Sequence, residues 1–266
     1  MTLSSASLER YIDAASPVHA LDARVKLLLT LATVLALGLL PVGAWVGVLA
    51  IAVLIWWAVL QARVGLGTIL RRAFVALPFA LAAVTLVFTK PGAPLFELPL
   101  GGLRLTATDA GLVAFASVVV KSWLSVQAAL LLTATTHFTD LLHALRALRL
   151  PAVLVAILSF AYRYLFVMVD EAQRMLRARA CRSAELPGRP AGRSIGWRAA
   201  VVGQMVGTLF LRSYERSERI YVAMLSRGFS GELRALRSRP LSTTEQGLLL
   251  VLGALLAAIA LLANIL

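Results

Sequence analysis

The stretch at residues 153–228 decides the fold, because it holds two helix-like segments built to the same plan. Residues 153–183 read VLVAILSFAYRYLFVMVDEAQRMLRARACRS, and residues 198–228 read RAAVVGQMVGTLFLRSYERSERIYVAMLSRG. Each segment is apolar in its first half and rich in arginine in its second half. An offset of 45 residues superimposes Arg182 on Arg227. The pattern predicts a pair of long helices, each with an arginine at its polar end.

The composition of the 266-residue chain identifies an integral membrane protein. Hydrophobic residues make up 60% of it, whereas the apolar share of a soluble domain is about one half. We attribute the net charge of +13 to loops that stay in the cytoplasm and carry an excess of Lys and Arg, and not to a nucleic-acid interface. Cys181 is the single cysteine, so we expect neither an internal disulfide nor a thiolate metal cluster.

Apolar runs define the predicted membrane segments. A cytoplasmic N-terminal segment, residues 1–24, precedes four runs within residues 25–135. Proline, glycine and short alternating pieces near residues 89–109 predict an outer loop or hairpin between the third and fourth runs. A last apolar run at residues 247–266 is about 20 residues long and predicts a final membrane helix.

The charge of residues 163–239 decides the predicted topology. These residues include 15 basic and six acidic side chains, and an external location would contradict the Lys/Arg bias of membrane proteins. We therefore predict that the segment beginning near Val153 enters the bilayer obliquely and returns its polar half to the cytoplasm. Residues 136–240 then form a basic amphipathic surface helix and two long cytoplasmic helices. The predicted fold is an all-α integral membrane protein with about five spanning helices, six being the alternative.

The sequence contains no motif of a familiar enzyme. It has neither a phosphate-binding Gly-Lys-Ser/Thr loop nor a His-Glu-x-x-His zinc motif. The histidines are scattered, so we expect no metal site and no bound cofactor in this chain. Lys121 lies near the middle of the fourth run. It is either a functional intramembrane charge or a lysine that snorkels or contacts an acid or carbonyl of a partner.

Arginine at two equivalent helix ends indicates a bivalent contact with a partner that offers two similar grooves. The planar guanidinium can hold carboxylates or carbonyls through paired hydrogen bonds. Gly228 follows Arg227 and permits the left-handed turn that commonly ends a helix. The alternative is that the basic ends only complement the helix dipole and anionic lipid headgroups.

Two further functions stay open on the residues alone. One is a membrane enzyme that binds phosphorylated lipid through its arginines, and the other is a scaffold that binds anionic lipid. An enzyme of that kind also needs acids for Mg²⁺. The acids Asp170, Glu171 and Glu215 instead have basic neighbours three or four positions away, and Glu218 adjoins Arg219. Ion pairing is the simpler explanation for these acids.

Three short motifs together resemble the transmembrane (T) components of energy-coupling factor (ECF) importers, specifically the CbiQ-like subunits of cobalt and nickel transporters. They lie at residues 16–26, 161–172 and 212–228, so the resemblance covers nearly the whole chain. The matching residues include His19, Asp22, Arg24 and Lys26 in the first motif, Arg163, Asp170 and Glu171 in the second, and Glu215 in the third.

This resemblance implies that the two helix ends couple the membrane protein to ATPases. In the family, Ala-Arg-Gly tripeptides at the tips of two cytoplasmic helices dock into two ATPase (A) subunits. The corresponding tripeptides here are Cys181-Arg182-Ser183 and Ser226-Arg227-Gly228. The first has Cys and Ser where the family has Ala and Gly, but it keeps the arginine.

The resemblance also implies a function and a set of partners. The chain would be the non-catalytic coupling subunit of an ATP-driven cobalt importer, with nickel as the alternative ion, in the cell inner membrane. It would pass the motion of the ATPases to a separate substrate-binding membrane (S) subunit, together with a small accessory membrane subunit. ATP and Mg would be used by the ATPases, not by this chain.

Overall fold

The computed structural model describes residues 11–76, 78, 82–100, 103–182, 194–229 and 241–265. Apart from one hairpin, the regular structure in these ranges is helical, so the predicted all-α class is confirmed. The chain divides into two units. Unit 1 comprises Met1–Leu148 and Arg239–Leu266, and unit 2 comprises Arg149–Ser238.

Unit 1 contains eight of the named helices and the hairpin. The helices are α1 (Pro17–Ala20), α2 (Ala23–Leu39), α3 (Trp45–Ala62), α4 (Leu66–Ala73), α5 (Thr85–Thr89), α6 (Asp109–Thr135), α7 (Phe138–Ala147) and α10 (Thr243–Ile265). Strands β1 (Pro94–Leu100) and β2 (Leu103–Thr108) pair antiparallel, with Leu98 opposite Leu105. The hairpin predicted near residues 89–109 is therefore present.

Short polar side chains cap the N-termini of several of these helices. The Ser16 hydroxyl accepts the N–H of His19 at the start of α1, and the Asp22 carboxylate accepts the N–H of Arg24 at the start of α2. Thr108 does the same for Gly111 at the start of α6. Each bond satisfies a backbone donor that the first turn of a helix leaves unpaired.

The core of unit 1 lies among α2, α3, α6 and α10, and α2 contacts the other three. Fully buried side chains include Leu37, Ile51, Val59 and Leu124. One polar contact crosses this core, because the Trp56 indole N–H donates to the side-chain carbonyl of Gln127 at 3.0 Å. Hydrogen bonds of this kind join helices in membranes, where apolar surface alone gives little preference for one neighbour.

Gly111 allows α6 to cross the end of α5. A Cβ atom at this position would lie 2.6 Å from the Val87 carbonyl oxygen and 2.8 Å from that of Leu86. Both obstacles are backbone atoms, so they could not move aside as a flexible side chain could. The absence of a side chain at Gly111 therefore sets the approach of α6 to α5.

The third apolar run differs from the single membrane helix that we expected. Its described parts include a 3₁₀ turn at Phe74–Ala76, helical residues at 78 and 82–83, and the short helix α5. Pro78 lies between the turn and α5 and has no N–H to donate, which disfavours a continuous helix.

Unit 2 contains the two long helices, α8 (Ala152–Arg182) and α9 (Ile195–Leu225). Each has 31 residues, or about 46 Å at the rise of an α-helix. They agree with the two predicted segments, except that α9 begins three residues earlier than the stretch at 198–228. There the Ser194 hydroxyl accepts the Trp197 N–H at 3.1 Å. No side chain within α9 is buried.

Four helices in the described part of the chain are long and apolar enough to cross a membrane, namely α3, α6, α8 and α10. Helix α2 has 17 residues, which is the lower limit for spanning a bilayer. Together they give about five, which agrees with the predicted number, but α8 is counted here in place of the third apolar run. The oblique course predicted for the segment near Val153 stays a prediction.

Candidate functional site

The end of α9 is a helix terminus with defined geometry. Gly228 has a φ of 77°, and its N–H donates to the Leu225 carbonyl at 2.9 Å. The N–H of Phe229 reaches back to the Met224 carbonyl at 3.0 Å. This pair of bonds is a Schellman motif, which needs a left-handed residue of the kind that glycine supplies without strain. Arg227 is exposed just before this turn.

The end of α8 also exposes its arginine. Arg182 is the last residue of the helix, and both Arg182 and the free thiol of Cys181 are exposed. Ser183, the third member of the predicted tripeptide, lies outside the described residues. Each long helix therefore has an exposed arginine at or just beyond its C-terminal end, where a positive charge also complements the helix dipole.

Glu171 links the two long helices. Its carboxylate accepts a hydrogen bond from the Arg212 guanidinium of α9 and pairs with Arg174 of α8 at 3.0 Å. The pairing with Arg174 was expected from the three-residue spacing. The pairing with Arg212 was not, because helical periodicity carries no information about residues on another helix.

The other residues that the resemblance singled out on α8 and α9 take no part in the contact between Glu171 and Arg212. Glu215 pairs with Arg219 one turn further along α9 at 3.9 Å, and both side chains are about two-thirds exposed. Asp170 and Arg163 are exposed on α8. Exposed ion pairs contribute little to stability, about 0–1 kcal/mol. Of the acids singled out by the sequence, Glu171 is the one that the structure connects to both helices.

A groove of about 340 Å³ lies between α8 and α9. Its walls are mainly aromatic rings, methionines and aliphatic side chains. They include Phe160, Tyr164, Met168, Ile220, Tyr221 and Met224. Methionine side chains adapt their shape easily, so such a groove can follow a change in the spacing of its two helices.

The residues of the N-terminal motif form hydrogen bonds within unit 1. The Lys26 ammonium donates to the Thr135 carbonyl at 2.8 Å and to the His19 carbonyl at 3.3 Å. The His19 ring in turn contacts the Ile12 carbonyl through Nε2 at 3.0 Å and the Ser16 hydroxyl through Nδ1 at 2.6 Å. These bonds attach the N-terminal segment and the start of α2 to the end of α6.

The motif also reaches the start of α10. The Asp22 N–H donates to one carboxylate oxygen of Glu245 at 3.0 Å, and the Ser242 N–H donates to the other at 2.9 Å. Arg24 lies 3.9 Å from the Asp22 carboxylate. The Ser-x-x-Glu spacing of Ser242 and Glu245 is a capping-box signal that the sequence contains and that our sequence analysis missed.

Two histidines lie against the ring of Tyr11. His137 stacks on it with ring centroids 3.6 Å apart, and His19 meets its edge at 5.8 Å. Burial, followed by the carboxylates of Asp13 and Asp140, raises the pKa of the Tyr11 hydroxyl above its usual value. In the described ranges, no three or more His, Cys, Asp or Glu side chains lie together in a group that could hold a metal ion.

Lys121 contacts carbonyls, but they belong to this chain and not to a partner. Its ammonium donates to the Leu40 carbonyl at 2.6 Å and to the Pro41 carbonyl at 3.3 Å. Ser117, one turn earlier on α6, accepts the Gly43 N–H at 3.2 Å. Lys121 and Ser117 therefore hold the turn between α2 and α3, where the end of α2 leaves its carbonyls unpaired.

The apolar helices of both units define a multi-pass helical membrane protein, with two long helices that end in exposed arginines. The chain belongs to the CbiQ family: the family model described as "CbiQ: Cobalt transport protein" matches residues 14–237. The matched region includes the N-terminal motif, Glu171 and both arginine ends.

Named relatives include transporter components. The energy-coupling factor transporter transmembrane protein EcfT of Thermanaerovibrio acidaminovorans is 33% identical over 246 residues, which cover 88% of this chain and 87% of that protein. The cobalt transport protein CbiQ of Rhodobacter capsulatus is 30% identical over 180 residues, or 67% of this chain and 71% of that protein. The nickel permease LarQ of Lactiplantibacillus plantarum is 32% identical over 97 residues, or 36% and 33%. Two relatives from Methanocaldococcus jannaschii are matched over 56% and 40% of their own length, so the chain spans about half the length of those proteins.

Proposed function

We propose that this chain is the non-catalytic transmembrane coupling subunit of an ECF-type, ATP-driven cobalt importer. The family match over residues 14–237 is the observation that carries the proposal, because it includes both long helices and both arginine ends. The likeness to the EcfT relative over 88% of the chain supports the coupling role. The likeness to the Rhodobacter CbiQ protein supports cobalt as the ion.

In this proposal Arg182 and Arg227 dock into two ATPase subunits, one arginine into each. Both arginines are exposed, and each is carried by a helix of 31 residues. A helix of that length transmits a displacement at one end to residues several turns away. Cys181 and Ser183 flank the first arginine, and Ser226 and Gly228 flank the second. Gly228 ends the second helix so that Arg227 stays at an exposed turn.

ATP binding then closes the ATPase pair and changes the spacing of α8 and α9. The Glu171–Arg212 pair and the apolar groove between the helices follow this change. The movement passes to a separate substrate-binding membrane subunit, aided by a small accessory membrane subunit, and the captured ion is released to the cytoplasm. ATP and Mg are bound by the ATPases in this scheme.

The ion is the least constrained part of the proposal. Cobalt is favoured because the relatives named for cobalt match more of the chain than the nickel permease, which matches 36% of it. Nickel is the second candidate. In either case the partner that binds the substrate sets the selectivity, and exchanging that partner would change the ion transported.

The membrane orientation follows from the charge of residues 163–239, which carry 15 basic and six acidic side chains. We assign the ends of α8 and α9 to the cytoplasm and the chain to the cell inner membrane. ATPases of the cytoplasm can reach the arginines in this orientation.

The decisive experiment is cobalt uptake by the assembled importer with Arg182 and Arg227 both changed to Ala. We expect uptake to be lost and the ATPases to fail to co-purify, while the membrane protein is still expressed. Arg219→Ala is the matched control, because Arg219 is exposed on α9 two turns before Arg227 and pairs only loosely with Glu215. Normal uptake by the double variant would contradict the proposal, as would turnover of a lipid phosphate by this chain alone.

A further inference from the structure

Unit 1 contains a cavity of about 490 Å³ among α2, α3, α6 and α10. Its walls are almost entirely apolar and include Leu29, Ile55, Leu131, Leu252 and Leu256. Cavities of about 300–1,000 Å³ are the usual size for small-molecule ligands. Three of the four helices are long and apolar enough to cross a membrane, so the ligand must suit a hydrocarbon environment.

Lys26 lies at one end of this cavity and is more than nine-tenths buried, with 8% of its surface exposed. Its ammonium has three N–H donors. Two of them serve the carbonyls of Thr135 and His19, and the third is donated to no described residue. Nor does any carboxylate in the described ranges form an ion pair with Lys26. The two hydrogen-bond acceptors of this buried cation are neutral, and the Asp140 and Asp22 carboxylates act on it without forming an ion pair. Burial of such a cation is costly, and an anion that reaches it would relieve that cost.

The ends of four helices meet beside Lys26, so this end of the cavity lies at the membrane surface. Lys26 is in the first turn of α2, Gln61 is in the last turn of α3, and Thr135 is the last residue of α6. The start of α10 joins them through the bond from Asp22 to Glu245. The Lys/Arg bias assigns this surface to the cytoplasm, where the membrane leaflet is rich in anionic lipids.

We propose that the cavity binds one anionic glycerophospholipid, with an acyl chain between the helices and the phosphate at Lys26. The charge at one end and the apolar walls beyond it match the two parts of such a molecule. A helix of a partner protein is a poorer fit, because a cavity of this volume holds about one turn of an α-helix with its side chains. This site does not depend on the coupling function proposed above.

Lipid competition measured by native mass spectrometry tests the proposal. The full-length chain in detergent is offered equal amounts of dioleoylphosphatidylglycerol and dioleoylphosphatidylcholine, which share their acyl chains and differ in charge. We expect one phosphatidylglycerol to be retained in preference. Lys26→Gln should reduce this preference on the order of tenfold, because it removes a charge-assisted hydrogen bond to the phosphate.

A second variant tests the cavity and leaves Lys26 unchanged. Leu252→Trp fills the space and should abolish retention of the bound lipid. Leu255→Trp is the matched control, because Leu255 lies on the same helix, is 41% exposed and is not part of the cavity wall. It should retain the lipid as the unchanged chain does.

Three results would overturn the proposal. The first is equal retention of the two lipids by the unchanged chain, and the second is an unaltered preference in a folded Lys26→Gln variant. If Lys26→Gln does not fold, because it loses its bonds to two carbonyls, Leu252→Trp decides the question. The third contradicting result is therefore full lipid retention by Leu252→Trp. If that variant also loses partner binding, the cavity belongs to a partner helix and not to a lipid.

Discussion

Glu171 on α8 and Arg212 on α9 form a hydrogen-bonded ion pair although they are 41 residues apart in the sequence. The carboxylate also holds Arg174 of its own helix, so one acid orients two guanidinium groups. This ion pair is a polar contact between α8 and α9, and through it the motion of one long helix can reach the other.

Removing the Glu171 carboxylate should therefore impair the transmission of motion between α8 and α9 more than it lowers the stability of the protein. We expect Glu171→Ala and Arg212→Ala each to lower cobalt uptake several-fold. The double variant should be no worse than Glu171→Ala alone, because that variant already deletes the contact that Arg212→Ala removes. Glu215→Ala is the control, since its pair with Arg219 stays on one helix. Additive losses in the double variant would show that the two residues act separately.

Gly228→Ala should disturb the position of Arg227. An alanine at a φ of 77° costs about 1–2 kcal/mol in the left-handed region, so the turn should rearrange and ATPase co-purification should fall. Gly207→Ala, within the body of α9 and with open space around it, should instead leave assembly intact and stabilise the helix by about 1 kcal/mol. Equal co-purification by the two variants would disprove a role for the turn.

Lys121→Met should destabilise unit 1. The variant leaves the Leu40 and Pro41 carbonyls at the end of α2 without their donor, and loss of a charged hydrogen bond costs about 1.5–3 kcal/mol. A lower melting temperature in detergent is the expected result, and Lys121→Arg, which keeps a donor, should recover part of it. An unchanged melting temperature combined with lost uptake would instead identify Lys121 as a functional charge.

The single cysteine allows the orientation of α8 to be measured without engineering. Cys181 is exposed one residue before Arg182. A membrane-impermeant maleimide should label it in inside-out vesicles and not in right-side-out ones. Cys181→Ser provides the unlabelled control. Leu98→Cys in that background places a thiol in the hairpin, and it should be labelled in right-side-out vesicles and not in inside-out ones. Labelling of Cys181 from outside the cell would refute the cytoplasmic assignment and the coupling function with it.

Helical periodicity and turn signals were sufficient to predict most elements of the fold, and the third apolar run is the exception. The two long helices and the hairpin follow from apolar runs bounded by proline, glycine and charge. Helix neighbours such as Glu171 and Arg174 were also predictable, because residues three or four apart share a face.

Contacts across large sequence separations were not predictable from one sequence. Lys26 and the Thr135 carbonyl are 109 positions apart, and Asp22 and Glu245 are 223 apart. Nothing in the local pattern of either partner identifies the other, since the acceptors of Lys26 are backbone carbonyls that every residue carries. The resemblance singled out His19, Asp22, Arg24 and Lys26 as a motif. The structure shows which atoms these residues contact.

Helix α9 has 31 residues and no buried side chain, and Phe210 is among its large apolar residues left 66% exposed. Where neither lipid nor a partner covers α9, this apolar surface is open to the quality-control proteases of the cell. The lifetime of the chain should be set by how quickly lipid or a partner covers that surface. We then expect the cellular abundance of this chain to fall when a partner subunit that covers α9 is missing.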